Sequence, residues 1–259
     1  MNKLFFYLFV SFIGFFAQII DGTLGMGYGV SSSSFLIALG LYPAIVSASV
    51  HTAEVATSFV SGISHFKMGN IRRDIFLPLI IPGVIGAVLG AMGVVNLPSK
   101  IIKPLFSIVL LSMGFLILYK YIFKFKAKQA FRNYSYASWK VAGLGFFAAF
   151  IDALGGGGWG PICTPAFLVN DEEPRKAVGT VNAAEFFVTV AATITFIVLI
   201  GLEKFRWDLV LILMVFGVIA APLAAFLCRK IPHRPLAIAI GILIVLLNLR
   251  TIILAFTPA

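Results

Sequence analysis

Gln18-Ile19-Ile20-Asp21-Gly22-Thr23-Leu24-Gly25-Met26-Gly27-Tyr28-Gly29, followed by Val30 and Ser31-Ser32-Ser33-Ser34, has a counterpart later in the chain. The counterpart is Asp152-Ala153-Leu154-Gly155-Gly156-Gly157-Gly158-Trp159-Gly160, followed by Pro161-Ile162-Cys163-Thr164. A constant offset of 131 residues pairs Asp21 with Asp152, Gly25 with Gly156, Gly27 with Gly158, Tyr28 with Trp159 and Gly29 with Gly160. The register runs without a gap from Phe15-Phe16-Ala17, matched by Phe146-Phe147-Ala148, to Glu54, matched by Glu185. Further on the offset becomes 134, where Asp74 meets Asp208 and Gly83-Val84-Ile85 meets Gly217-Val218-Ile219. The chain therefore reads as a duplication: a first repeat over 1–123, a polar, basic linker over 124–138, and a second repeat over 139–259.

Composition says what solvent surrounds both copies. Of the 259 residues 60% are hydrophobic and 12% charged, with a mean hydropathy of +1.04. A soluble domain carries about 25% charged residues, so this chain cannot cover its apolar surface with polar groups. Lipid is the expected solvent, and the fold class is all-α, a polytopic transmembrane helical bundle. The net charge of +10 sits in short loops between apolar runs. There it sets topology rather than recruiting nucleic acid. Cys163 and Cys228, the two cysteines, are far apart with no CxxC, which supports neither a disulfide framework nor a zinc site. No metal or cofactor is expected.

Each half follows one plan. An apolar segment (about 4–20; 140–151) meets a Gly-rich break, and a short segment follows (about 30–40; 161–169). A long helix comes next (about 43–66; 174–200), then two more (75–95 and 101–123; 207–228 and 235–256). The short segments cannot span a hydrocarbon core of about 30 Å. Irregular backbone at membrane depth persists only inside protein or a water-filled cavity. Each break is therefore expected at the tip of a re-entrant hairpin, which makes the two repeats inverted. In that topology Lys67, Arg72, Arg73, Lys120, Arg175 and Lys176 share one face with the linker, and the excess of Lys and Arg makes that face cytoplasmic. If each break instead interrupted one continuous crossing, the halves would be parallel; the charge difference between faces is then smaller.

The breaks carry the chemistry. Half-helix starts near Val30 and Pro161 present unpaired N–H groups and positive dipole ends, an anion site without a buried Lys or Arg. The expected substrate-binding residues are Gly25, Gly27, Gly29, Ser31, Ser32, Ser33, His51, Gly157, Gly158, Pro161, Cys163, Thr164 and Asn182. Ionisable residues within spans are functional candidates. His51 and Glu54 share a helix face, as do Asn182 and Glu185. Glu54 and Glu185 are candidates for carrying protons or for fixing the half-helices structurally. Asp21 and Asp152 are candidates for capping the breaks, turned away from an anion or protonated. Tyr28 and Trp159 are candidate gates, or packing residues. His65, near a helix end, is expected at the interface. Gly83, Gly86, Gly90 and Gly93 line one helix face and are read as packing glycines. Gly155-x-Gly157-x-x-Gly160 matches a dinucleotide fingerprint, but no strand precedes it and no soluble domain surrounds it.

The duplicated Phe-Phe-Ala, Asp and Gly cluster, followed by Pro and His/Asn-x-x-Glu, resembles the sulfite exporter and toluene-sulfonate uptake permease family (TauE/SafE-like) over essentially the whole chain. The first copy departs from the Gly run, with Leu24, Met26 and Tyr28 interspersed. The resemblance implies a multi-pass permease in the cell inner membrane that moves small inorganic or organic sulfur anions. Its implied partners are that anion and the lipid bilayer; homo-oligomerisation stays open. Export of sulfite or an organosulfonate by alternating access is the leading expectation. Proton-coupled uptake and an anion channel are the alternatives. An intramembrane enzyme is disfavoured, since neither HExxH nor GxSxG is present.

Overall fold

The computed structural model describes residues 3–124, 138–169, 172–228, 230 and 233–256. Linker residues 125–137, with the basic residues they contain, lie outside the described residues. Among the described residues ten α-helices follow one another: α1 (Lys3–Leu24), α2 (Tyr28–Ala38), α3 (Pro43–Lys67), α4 (Arg73–Asn96), α5 (Ser99–Tyr119), α6 (Ser138–Gly155), α7 (Trp159–Val169), α8 (Pro174–Ile200), α9 (Trp207–Leu227) and α10 (His233–Phe256). Among the described residues none forms a strand. Six segments among the described residues are long and apolar enough to cross a membrane: α1, α4, Pro104–Phe123, α6, α8 and α9. Helix α3 has the length, 25 residues, but its Ser, Thr, His and Glu face inward. Helices α2 and α7 have 11 residues each; at about 1.5 Å per residue they reach roughly half of a hydrocarbon core.

The expected boundaries move in one informative place. Helices α1 and α6 continue through Asp21 and Asp152 to Leu24 and Gly155, and α2 and α7 start at Tyr28 and Trp159 rather than at Val30 and Pro161. The breaks are thus only three residues long. Leu24 can be followed by a sharp turn because Gly25 takes φ 66°, and its counterpart Gly156 takes φ 70°, values that an L side chain rarely adopts. Pro43 and Pro174 stand in the first turn of α3 and α8, where a missing N–H leaves nothing unpaired.

The exterior carries large apolar side chains, among them Phe5, Phe12, Leu77, Ile81, Phe147 and Val198, as a lipid-facing surface does. The interior is lined by small residues instead. Gly86 and Gly90 of α4 lie so close to the backbone of Phe146 and Phe150 in α6 that a Cβ at either would strike a carbonyl oxygen. Gly145 of α6 lies against Leu79, and Gly93 against Leu154. The two helices therefore run parallel, their backbones pressed together as small residues permit. Helices α1 and α9 do the same, with Gly14 against Leu213 and Gly22 against Ala224.

Polar contacts say which ends lie together. Arg72, just before α4, bonds Asp74 and the buried Glu172, which stands just before α8. The Arg72 N–H donates to Thr180 Oγ1 at 2.8 Å. Helices α4, α6 and α8 thus all start at one end of the molecule, the Arg72 end, and α6–α7 leaves it and returns to it. At the opposite end Tyr7 OH reaches Asp208 Oδ2 at 3.2 Å, beside the Arg206–Asp208 pair. Arg250 of α10 lies 3.4 Å from the Ala38 carbonyl at the end of α2. Helices α1, α3 and α9 start at this Arg206 end, and α1–α2 leaves it and returns to it. The major packing pairs are reciprocal under exchange of the halves: α1 on α9 and α6 on α4, α3 on α9 and α8 on α4, with α3 on α8 and α5 on α10 across the middle.

Candidate functional site

The two breaks meet in the protein interior, where every residue from Asp21 to Ser34 is buried. They are joined by two equivalent hydrogen bonds. Ser33 of α2 donates to the Gly156 carbonyl at 2.5 Å, and Thr164 of α7 donates to the Gly25 carbonyl at 2.5 Å. Ser33 and Thr164 are paired by the 131-residue offset, as are Gly25 and Gly156. Each half therefore holds the turn of the other, and the turn must be glycine for its carbonyl to point there. The half-helix starts touch as well. A Cβ on Gly160 would lie 2.5 Å from Met26 Cα and 2.8 Å from the Gly25 carbonyl oxygen, and one on Gly157 would run into the backbone of Gly29 and Val30.

Asp21 and Asp152, expected as caps, stand in the last turn of α1 and α6 and reach across the break. Asp152 Oδ1 accepts from the Gly158 N–H at 2.7 Å and the Trp159 N–H at 3.1 Å. Asp21 accepts from the Tyr28 N–H. These carboxylates are not turned away from the half-helix starts. They already occupy part of the donor set that sequence reasoning reserved for a substrate anion.

Each Asp then meets a polar residue from the long helix of the other half. Asp152 Oδ2 lies 3.1 Å from His51 Nε2. The other ring nitrogen, Nδ1, lies 2.8 Å from the Ser47 carbonyl. Both ring nitrogens thus face an oxygen within hydrogen-bond distance. The equivalent pair is Asp21 and Asn182. Asn182 turns toward Asp21, although its amide nitrogen does not reach hydrogen-bond geometry, and its Oδ1 accepts from Ser61 at 2.6 Å. An amide carries no proton that it can release, so the two half-sites differ in kind.

Glu54 and Glu185 complete a set of four buried carboxylates: Asp21, Glu54, Asp152 and Glu185 all face one another across the centre. Glu54 Oε2 has no hydrogen-bond partner, and neither have the hydroxyls of Ser31 and Ser32 nor the Gln18 amide nitrogen, all buried. Ser34 is bonded by Asn248 of α10 at 2.8 Å. Cys163 is wholly buried near Asp152 and Glu185. Pro161, Gly27 and Gly158 lie in the same buried breaks. The candidate residues thus come together.

Two expectations gain detail or change. Tyr28 and Trp159 are both buried and anchored, Tyr28 OH to the Leu213 carbonyl at 3.0 Å and Trp159 Nε1 to the Val181 carbonyl at 3.1 Å. In this conformation each is fixed by packing and a hydrogen bond. His65 is not interfacial: it is fully buried, with Nε2 3.2 Å from the Gly22 carbonyl and Nδ1 bonded by Asn70. A His near a helix end and beside Lys67 reads as a solvent-facing residue; only the fold shows that this turn lies under α1. Sequence reasoning also missed Gln18, Ser47 and Ser61, polar residues on apolar helices whose repeat counterparts, Ala149, Val178 and Ala192, are apolar.

The family model described as "Sulfite exporter TauE/SafE" matches residues 10–251. A Bacillus subtilis (strain 168) protein named "Probable membrane transporter protein YtnM" is 44% identical over 244 residues, 94% of this chain and 81% of that protein. No solved structure matches.

Proposed function

We propose, from the premise that this chain belongs to the TauE/SafE sulfite exporter family and is a multi-pass membrane transporter, that its cargo is a small sulfur-containing anion, sulfite or an organosulfonate, exported by alternating access. The observation that supports this most is the meeting of two half-helix starts, α2 and α7, deep inside the protein. Converging N-terminal dipoles favour a small oxyanion without a permanent cation. In the reading offered here the halves are inverted repeats, each with a re-entrant hairpin opening to its own end. The Arg72 end, with Lys67, Arg73, Arg175 and Lys176, is the cytoplasmic one, and the membrane is the cell inner membrane.

Alternating access then consists of one hairpin-bearing half moving against the other. The contacts that must change are Ser33 to Gly156, Thr164 to Gly25, and Arg72 to Glu172. An interior-negative potential favours anion exit by about 2.3 kcal/mol per charge per 100 mV, so export is downhill without a coupled ion. The binding residues are those of the two breaks with His51, Asn182, Cys163 and Thr164.

The test is flux through purified protein in proteoliposomes, screened with sulfite, thiosulfate, sulfate and sulfonates. Sulfite or sulfonate is expected to move, at carrier rates, and His51→Gln and Cys163→Ala are expected to impair it while folded yield stays near wild type. No movement of any sulfur anion refutes the cargo. Unchanged flux in both variants refutes the location. Currents far above carrier rates decide for a channel.

A further inference from the structure

We infer that the Glu54 carboxylate is the anion that occupies the first turn of α2 when no substrate is bound, and that a substrate anion enters by displacing it, with Glu54 leaving as the neutral acid. This rests on the anion site of the reading above and adds to it one proton carried with each anion; a divalent anion such as sulfite then still takes one net negative charge out, so the membrane potential still favours its export.

The geometry singles out Glu54 among the four buried acids. The first intrahelical hydrogen bond of α2 runs from Ser31 N to Gly27 O, so the N–H groups of Gly29 and Val30 precede it. Tyr28 N–H is already directed at Asp21. A Cβ on Gly29 would stand 3.1 Å from Glu54 Oε1. The carboxylate therefore lies against the first turn of α2, and Gly29 leaves room for it. Glu54 is 2% exposed, yet its Oε2 has no hydrogen-bond partner. On α2 the Ser31 and Ser32 hydroxyls are likewise buried and without partners. A carboxylate kept solely for structure is expected to have both oxygens satisfied. Here one carboxylate oxygen of α3 and two hydroxyls of α2 are buried and unused.

The second half lacks the arrangement. The nearest groups to a Cβ on Gly160, the counterpart of Gly29, belong to Met26 and Gly25, not to Glu185. In place of Ser31 and Ser32 the second half has Ile162 and Cys163. The exchangeable carboxylate is therefore a property of the α2 side alone.

Charge then fixes the coupling. Glu54 is faced by Asp21 of α1, Tyr28 of α2, His51 of its own helix, Asp152 of α6 and Glu185 of α8. An anion added beside an ionised Glu54 adds a like charge to a buried cluster of acids, which is strongly unfavourable. If the carboxylate takes a proton from the solvent as the anion enters, one negative charge replaces another and the cluster's charge is unchanged. The bond formed is O–H on Glu54; the proton returns to solvent when the anion leaves and the carboxylate swings back.

The experiment measures protons taken up per anion bound, by calorimetry of the purified transporter in buffers of different ionisation enthalpy. The probe is methanesulfonate, with sulfite run in parallel. The readout is the difference between wild type and E54Q, so the ionisation of sulfite itself cancels. Wild type is expected to take up about one proton more per anion than E54Q, with affinity falling about tenfold per pH unit where Glu54 is ionised; E54Q binds more tightly and without that slope. Equal proton counts in the two proteins overturn the inference and leave the transport reading standing. Failure of wild type to bind or carry either anion overturns the transport reading itself. Should E54Q not fold, Glu54→Asp carries the test: it withdraws the carboxylate from Gly29 by one methylene while keeping its proton. Tighter anion binding with the proton count retained supports the displacement, and unchanged affinity overturns it.

Discussion

Gly29 and Gly160 are equivalent positions of the duplicated sequence, and the structure predicts opposite sensitivity to the same substitution. Gly160→Ala places a methyl carbon 2.5 Å from Met26 Cα, 2.8 Å from the Gly25 carbonyl oxygen and 3.1 Å from Met26 Cβ. Two of these three atoms are backbone of the opposing break, which Thr164 ties down through the same Gly25 carbonyl. Neither can yield without opening the contact between the halves. Overpacking of this kind costs about 1–3 kcal/mol, and a backbone obstacle belongs at the upper end. Gly29→Ala meets Glu54 Oε1 at 3.1 Å and backbone of Gly156 and Gly157 at 3.3 Å. The first is the end of a flexible side chain, and the others need to shift by only a few tenths of an ångström. The loss is offset by the advantage of Ala over Gly in a helix, about 0.5–1 kcal/mol. At about 2–4 °C per kcal/mol for a chain of this size, Gly160→Ala should lower the unfolding midpoint by roughly 5–10 °C and Gly29→Ala by less than about 3 °C. Intrinsic-fluorescence melting of the detergent-solubilised protein measures both. Equal shifts, or a tolerated Gly160→Ala, would show that the breaks do not pack together as described.

Three further predictions concern polar contacts. Asp152→Ala strands His51 and the N–H groups of Gly158 and Trp159 and should cost about 3–5 kcal/mol, against a smaller loss for Asp21→Ala, whose partner Asn182 is neutral; chemical denaturation of the two variants compares them. Glu172→Gln weakens a bridge whose side chains are 12% and 3% exposed and should cost about 1.5–3 kcal/mol, whereas Arg206→Gln breaks a pair 44% and 31% exposed and should cost less than about 1 kcal/mol; identical melting shifts would refute the distinction. Tyr28→Phe leaves the Leu213 carbonyl without its donor and should lower stability by about 1 kcal/mol with flux retained. Loss of flux at unchanged stability would make Tyr28 a gate rather than an anchor.

Much of the fold was legible because duplication repeats the constraint as well as the sequence. Pro43 and Pro174 mark the starts of α3 and α8, and the glycines of the breaks mark the turns. Where α1 and α6 end was less legible. Asp21 and Asp152, read as part of the breaks, are helical, because the chain turns only at Gly25 and Gly156. A run of glycines offers several turn positions, and choosing among them needs the opposing Thr164 and Ser33. The site residues were legible as polar exceptions on apolar helices. Their partners were not, since His51 with Asp152 and Asn182 with Asp21 are pairs made between halves. His65 misled for a related reason: its sequence neighbourhood is basic and terminal, and its burial comes from α1, distant in the chain.

Around the breaks and the facing turns of α3 and α8, several chemical differences between the halves favour the first half. His51 stands where the second half has Asn182, Ser31 and Ser32 where it has Ile162 and Cys163, and Gln18, Ser47 and Ser61 where it has Ala149, Val178 and Ala192. Gln18, Ser31, Ser47 and Ser61 each add a donor to the first half, and His51 adds a titratable group. A symmetric framework needs only the reciprocal bonds of Ser33 and Thr164 to hold its two turns, and those are kept in both copies. The extra polar groups are not required by that framework, and several of them have no partner within the protein. Buried polar groups without partners are unfavourable, so their accumulation around α2 and α3 is accounted for by an occupant that uses them. On the proposed reading the first half supplies more of the groups that bind, beside those of the second break. Moving the difference across the contact is then informative: His51→Asn together with Asn182→His should preserve the packing of α3 on α8 yet abolish anion flux, because Ser31, Ser32 and Glu54 remain on the side that has lost its imidazole. Wild-type flux from the exchanged protein would show instead that the centre works as a single symmetric cluster.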